Sequence, residues 1–453
     1  MTPASGYCGP IPGYRTCRTI LPTPNRGVFF MVRYRVRGGN ALRGTAFVQG
    51  AKNAVLPMIG AALLAAEGRT VLRNVPLIED VRRAIELAEA VGARVQFHEA
   101  ERTLVIDASG VNTPVLPEEI ASRFRGVILF VPALLHRVGE VIVEGVGGCN
   151  LGARNLDFHY NGYKRLGALV DEQESTIHIK AAGLTGATLY LDRPSHTGTE
   201  NLIMAAALAQ GTTVIENAAL EPEVLDVIEM LRKMGANISG EGTGFITVEG
   251  VRELKAVEHT VMADRLDAGA FMMAAAITGG EVTLLGTSLE HLGVVRWKLE
   301  QMGVEFFQEG AVVHARRDGQ LRPINVITDT YPGFATDLQP QLMAMAALAH
   351  GPSYIHERVF DGRFALAREL NKMGARVEVD GNRAVVHGPT PLRGTTVEAH
   401  DLRSGIALVL AGLAAEGETV IESGYRIDRG HADIAQRLRA LGADVEREIS
   451  PFA

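Results

Sequence analysis

The apolar positions of this chain repeat on two scales. Locally, Arg376-Val377-Glu378-Val379-Asp380 and Arg383-Ala384-Val385-Val386-His387 alternate around Gly381-Asn382. That period of two predicts a hairpin with one buried face. Over longer distances two segment types recur. One is a helical run ending in glycine and followed by an apolar strand, as in Leu413-Ala414-Ala415-Glu416-Gly417-Glu418-Thr419-Val420-Ile421, and it returns around Gly68, Gly139, Gly211, Gly280, Gly351 and Gly417. The other is a helix ending in an apolar residue and Gly, then an alternating strand pair, at Gly92, Gly167, Gly235, Gly303, Gly374 and Gly442. Steps between the second series are 75, 68, 68, 71 and 68 residues.

A glycine just past a helix takes the left-handed conformation that closes the last turn. Each unit therefore predicts helix, strand, helix, hairpin. Six units of roughly 70 residues are too long for a solenoid repeat and suit two closed domains of three units each. The runs 268–278 and 343–349 are rich in Ala and have little polar face. Such helices are buried all round, which predicts helices inside and sheets outside. A strand over residues 45–48 is expected to pass into a helix over 53–66, and a strand-like run starts near Met31.

Composition narrows the function classes. The 453 residues hold 45 Lys+Arg against 52 Asp+Glu, a net charge of −7 that disfavours a general nucleic-acid binder. Aromatics are 6% with a single Trp, which argues against a stacking platform. Cys8, Cys17 and Cys149 cannot form a disulfide framework and show no metal spacing. A reducing cytoplasm is the expected home. The longest apolar stretches, 126–135 and 406–415, fall far short of the ~20 residues that span a bilayer. Residues 1–30 are rich in Pro, Gly and Arg without an apolar core, so a disordered leader is expected, with Met31 as the natural start.

Unusual polar residues interrupt the repeat in a few places. Lys52, in Gln49-Gly50-Ala51-Lys52-Asn53-Ala54, opens a predicted helix. A lysine there opposes the helix dipole unless an anion is bound, although it can also be an ordinary exposed lysine. Cys149, in Gly147-Gly148-Cys149-Asn150-Leu151-Gly152-Ala153-Arg154, is either a reactive thiol near a cation or a buried structural one. Asp337, in Phe334-Ala335-Thr336-Asp337, is either an N-cap or a general base. Arg125, Arg363, Arg403 and Arg429 each stand at a predicted helix start. Singly, three of these would pair with the adjacent Asp361, Asp401 or Asp428; together, the four make a surface for phosphate and carboxylate. No phosphate-loop lysine motif, dinucleotide glycine fingerprint or metal set is present, which predicts cofactor-free acid–base work on anionic substrates.

These motifs, spread over residues 31–448, resemble the enolpyruvyl transferase family, on its UDP-N-acetylglucosamine branch. The resemblance rests on Gly50-Ala51-Lys52-Asn53, Gly147-Gly148-Cys149, Gly152-Ala153-Arg154, Thr336-Asp337, Gly362-Arg363-Phe364, Asp401-Leu402-Arg403 and Ile427-Asp428-Arg429-Gly430. It implies an α/β fold of two inside-out α/β barrel domains, each of three βαβαββ-like units. The domains would be residues 52–262, and residues 31–51 with 263–453. It implies phosphoenolpyruvate and UDP-N-acetylglucosamine as substrates, with no cofactor, no metal, no nucleic-acid or membrane partner, and a monomer or weak homo-oligomer. Lys52, Arg125, Arg403 and Arg429 would hold phosphoenolpyruvate. Cys149 would be the general acid, Asp337 would take the sugar hydroxyl proton, and Arg363 would serve closure and catalysis. Asn53, Arg154, Asp337 and Val359 would position the amino sugar.

The chain departs from the family pattern at the nucleotide end. Asn155-Leu156-Asp157-Phe158-His159 stands where Pro-Val-Asp-Leu-His is usual, and Ser195-His196-Thr197-Gly198-Thr199 where Ser-Val-Gly-Ala-Thr is usual. Asp157, Phe158, Arg193, Ser195, His196 and Thr197 are the expected contacts there, with His196 directed at the diphosphate. Ala335 replaces a proline beside Asp337. A different nucleotide sugar is therefore one alternative acceptor. Shikimate 3-phosphate is disfavoured by Cys149 and Lys52-Asn53. A non-catalytic sensor is disfavoured because the catalytic set is intact.

Overall fold

The computed structural model describes residues 30–145, 157–173 and 176–451. Among these the strands form six four-stranded sheets of one design. In the unit spanning 188–249, Thr188–Tyr190 runs parallel to Thr212–Glu216, and the helix His196–Ala206 crosses between them. The helix Pro222–Met234 then leads into Asn237–Ser239 and Phe245–Glu249, which add antiparallel to the sheet. Alternation explains the sheets: in Glu418–Glu422 Thr419 and Ile421 are buried and the flanking residues are not. The predicted glycine stops hold throughout the second series, where φ lies between 94° and 109°. In the first series Gly279, not Gly280, is the left-handed residue of its turn.

Three sheets borrow a strand from elsewhere in the chain. Arg43–Phe47 is the edge strand beside Glu281–Leu285. Phe30–Arg37 lies between Glu418–Glu422 and Asp444–Pro451. Glu258–Thr260 is the edge strand beside Arg69–Arg73. The chain thus begins one ring of sheets, leaves it near residue 51, builds a second ring, and returns near residue 263. Two separate apolar cores accompany the rings. One is drawn from residues 51–261 with Ala432, the other from residues 32–48 and 266–445.

Helices fill both cores. Every residue of Gln339–Ala346 is buried, as are 265–277 of Arg265–Thr278 and 403–413 of Leu402–Ala414. Small residues permit this packing: a Cβ on Gly60 would sit 2.4 Å from the Leu129 carbonyl oxygen. Element ends differ slightly from expectation. The helix after the first crossing is Lys52–Ala62, and 126–135 divides into a 3₁₀ stretch, Arg125–Phe130, and the helix Val131–Arg137.

Candidate active site

The two crossing segments pair with each other. Ala51 N–H donates to the Met262 carbonyl at 2.8 Å, and Asp264 N–H to the Gln49 carbonyl at 2.8 Å. Asp264 caps the helix Arg265–Thr278 by accepting from the Leu266 and Asp267 N–H groups at 2.8 and 3.2 Å. Burial, opposed by Arg403 and reinforced by Asp267 and Glu223, raises its pKa to about 6. Gln49 ties the crossing to the segment 430–432, donating to the Gly430 carbonyl at 2.9 Å and accepting from Ala432 N–H at 3.0 Å.

Beside this crossing lies a cavity of about 550 Å³ lined by residues of both cores. Lys52, Asn53, Arg125, Phe158, Arg193, Ser195, His196 and Thr197 come from one side. Asp337, Val359, Arg363, Arg403 and Arg429 come from the other. Asp157 is the exception. It is exposed at the first turn of the helix Asp157–Arg165, outside the lining, where a carboxylate suits the helix dipole. Cys149 and Arg154, with Asn155 and Leu156, lie outside the described residues, as do Cys8, Cys17 and the rest of residues 1–29 of the expected leader.

Internal carboxylates engage the cavity's cations. Lys52 Nζ lies 2.7 Å from Asp80 Oδ2, and Arg429 Nε 2.9 Å from Asp80 Oδ1. Asp80 is the anion that a lysine at this helix start called for. Burial pushes its carboxyl up, yet Lys52 and Arg429 outweigh that and hold it below the usual carboxylate range. Asp337 is the second such group. Its Oδ1 lies 2.9 Å from Arg363 Nη2, and its Oδ2 lies 2.8 Å from Arg403 Nη2. Asp337 sits in the 3₁₀ turn Thr336–Leu338, and Leu338 holds the N-cap position of the helix Gln339–Ala346 that follows. The acids beside three of these arginines in sequence have partners of their own. Asp361 accepts from Asn382, Asp401 caps the helix Leu402–Ala414, and Asp428 binds Tyr34 and Arg447.

Two expectations about position are corrected. Arg429 stands just past the end of the short helix Tyr425–Asp428, not at a helix start, because the turn closes again at Gly430 and His431. Arg363 precedes the helix Ala365–Lys372 by two residues. Its guanidinium stacks 5.2 Å from the Phe360 ring and donates to Thr336 Oγ1 at 2.7 Å.

Several surrounding groups, Glu357, Glu200, Glu223 and Arg265 among them, escaped sequence reasoning. Glu357 is fully buried and accepts from Thr328 Oγ1 at 2.7 Å, Thr336 Oγ1 at 2.9 Å and Val359 N–H at 2.9 Å. One carboxylate thereby joins the Val359 loop to the turn that carries Asp337. Ser195 caps the helix His196–Ala206 by accepting from Gly198 N–H at 3.2 Å, and Ser195, His196 and Thr197 line the cavity. His196 Nδ1 lies 3.4 Å from Glu200 Oε2. Burial, with Glu223 and Glu221 nearby, pushes the Glu200 carboxyl well above its usual range. Glu223, fully buried, pairs with Arg265 at 3.0 Å, and Arg265 lies over the Tyr331 ring at 5.3 Å. Burial holds His159, also in the lining, down to about 4. In sequence, Asp80 and Glu223 look like any acids in the first turn of an amphipathic helix.

Two rings of sheets around buried helices, with a cation-rich cleft between them and an acid among its arginines, define an enzyme for anionic substrates. Comparison with known proteins specifies which. Residues 36–438 match the family model for EPSP synthase (3-phosphoshikimate 1-carboxyvinyltransferase). The UDP-N-acetylglucosamine 1-carboxyvinyltransferase of Thermobifida fusca is 70% identical over 92% of this chain and 98% of its own length. That of Symbiobacterium thermophilum is 46% identical over 92% and 95%. Among solved structures, the enolpyruvyl transferase NikO from Streptomyces tendae superposes with a TM-score of 0.85 at 26% identity, covering 93% of this chain and all of that one. An EPSP synthase from Acinetobacter baumannii shares the fold, with a TM-score of 0.72 at 20% identity over 92% of this chain and all of that one. The chain belongs to the UDP-N-acetylglucosamine 1-carboxyvinyltransferase family of enolpyruvyl transferases.

Proposed function

We propose that the cleft transfers the enolpyruvyl group of phosphoenolpyruvate to the 3′-hydroxyl of UDP-N-acetylglucosamine, the first committed step toward peptidoglycan precursors. The observation that carries this reading is the convergence of Lys52, Arg403 and Arg429 with Asp337 on one cavity. The reaction is an addition followed by an elimination. The sugar oxygen bonds to C2 of phosphoenolpyruvate while a proton adds to the methylene carbon. That carbon then loses a proton, the C2–O bond to phosphate breaks, and the double bond re-forms.

Each residue has a task in this scheme. Lys52, Arg125, Arg403 and Arg429 bind the phosphate and carboxylate and stabilise the tetrahedral intermediate as preorganised donors. Asp337 receives the hydroxyl proton, and Cys149 delivers the proton to the methylene. Asn53 and Arg154 orient the amino sugar. Val359 commits its N–H to Glu357, so in this reading its contact with the sugar is made through the carbonyl. Phe158, Arg193, Ser195, His196 and Thr197 form the nucleotide end. Arg363 couples loop closure to chemistry, and closure excludes water. The working domains are residues 52–262, and residues 31–51 with 263–453. In the same reading the enzyme works in the cytoplasm, as a monomer or weak homo-oligomer.

Phosphate release from phosphoenolpyruvate tests the reading, with UDP-N-acetylglucosamine, other UDP- and dTDP-sugars and shikimate 3-phosphate as acceptors. UDP-N-acetylglucosamine is expected to be preferred. Asp337→Asn is expected to lower kcat at least ~100-fold, the scale of a lost general base, while both ligands still bind. Preference for another acceptor, or a fully active Asp337→Asn enzyme, contradicts it.

A further inference from the structure

Asp80 has no part in the scheme above, yet its carboxylate engages two of the cavity's cations, Lys52 and Arg429. It is 2% exposed. Its Oδ2 receives Lys52 Nζ at 2.7 Å. Its Oδ1 receives Arg429 Nε at 2.9 Å, and Arg429 Nη2 reaches Oδ2 at 3.3 Å. The two cations arrive from different cores. Lys52 opens the helix Lys52–Ala62, and Arg429 follows the helix Tyr425–Asp428. Like charges this close repel strongly where water is scarce. Lys52, 8% exposed, cannot be left without a counter-charge at low cost.

We propose that Asp80 is the positioning residue of the phosphate subsite, its carboxylate holding Lys52 of one domain and Arg429 of the other at a single point facing phosphoenolpyruvate. The inference rests on the reading of Lys52 and Arg429 as phosphoenolpyruvate contacts. The bidentate grip fixes the plane of the Arg429 guanidinium, which a single contact would leave free to rotate. Two cations and one carboxylate leave the trio a net positive charge for the incoming anion. The device also makes the subsite depend on how the two domains sit together, because neither domain holds both cations.

Steady-state kinetics of Asp80→Asn on the full chain tests this. The KM for phosphoenolpyruvate is expected to rise at least tenfold while the KM for UDP-N-acetylglucosamine stays within twofold. A general structural defect would move both. Should Asp80→Asn not accumulate as folded protein, Asp80→Glu reads the same claim, because its extra methylene displaces both cations. Its KM for phosphoenolpyruvate is expected to rise at least threefold. Calorimetry with inorganic phosphate adds an arm that needs no turnover, and both variants are expected to bind it more weakly than the parent. A parent that binds phosphate in an Asp80-dependent way but transfers nothing refutes the functional reading and leaves this inference standing. Unchanged phosphate affinity and an unchanged KM for phosphoenolpyruvate in the variants overturn it.

Discussion

At the scale of single residues, the site works by opposing charges at short range inside a molecule whose net charge is −7. Lys52, Asp337 and the arginines were legible because each interrupts an otherwise apolar repeat with a polar type that folding alone does not ask for. Asp80, Glu200, Glu223 and Glu357 were not. Asp80, Glu200 and Glu223 are acids near the start of a helix, which is ordinary, Glu357 merely follows the strand Pro352–His356, and only three dimensions reveal what each faces. Asp264 shows what such burial costs. Its pKa of about 6 lies above the ordinary 3.8. The fold therefore favours its neutral form, and the stability this gives is present at low pH and lost as pH rises through about 6. Asp264→Asn mimics the neutral acid. Between about pH 5 and about pH 8 the variant is expected to gain on the order of 1–2 kcal/mol of stability relative to the parent, read by urea unfolding at each pH. A difference that does not change with pH contradicts the assignment.

The scale of elements explains why the repeat was readable in advance. A glycine that must take φ near 100° and a strand that must alternate both leave local marks, and each recurs six times. Ends were less legible. Arg429 comes at the close of a helix of only four residues, which no periodicity announces. The borrowed strands were hidden too, since pairing Phe30–Arg37 with Asp444–Pro451 depends on closure of a ring and not on neighbouring sequence. Packing of the buried helices gives a prediction that propensity alone reverses. Alanine is a better helix former than glycine by ~1 kcal/mol. At Gly60, however, a Cβ would stand 2.4 Å from the Leu129 carbonyl oxygen. Gly60→Ala is expected to destabilise the protein by about 1–3 kcal/mol, the usual cost of overpacking, as measured by chemical denaturation. Equal or greater stability would show that the two segments can part without loss.

For the whole molecule, the decisive feature is that the chain passes between its two cores twice, at residues 49–51 and 262–264, and that the cavity lies beside those crossings. Lys52 is one residue beyond the first crossing and Asp264 belongs to the second. A change in the angle between the two cores therefore moves Lys52 and Asp80 relative to Arg429 and Asp337 while leaving each core intact. The sixfold pattern pointed to two domains, and the number of arginines pointed to an anionic ligand, but their meeting in one cleft could not be read from residues almost 400 positions apart. That meeting is most directly tested by a crystal structure of the chain with UDP-N-acetylglucosamine and phosphoenolpyruvate or a non-reacting analogue of it. The account predicts phosphate and carboxylate among Lys52, Arg403 and Arg429, with the sugar 3′-oxygen at hydrogen-bond distance, about 3 Å, from the Asp337 carboxylate. Ligands bound to one domain alone, or on the outer faces of the sheets with Asp337 turned away, would contradict it.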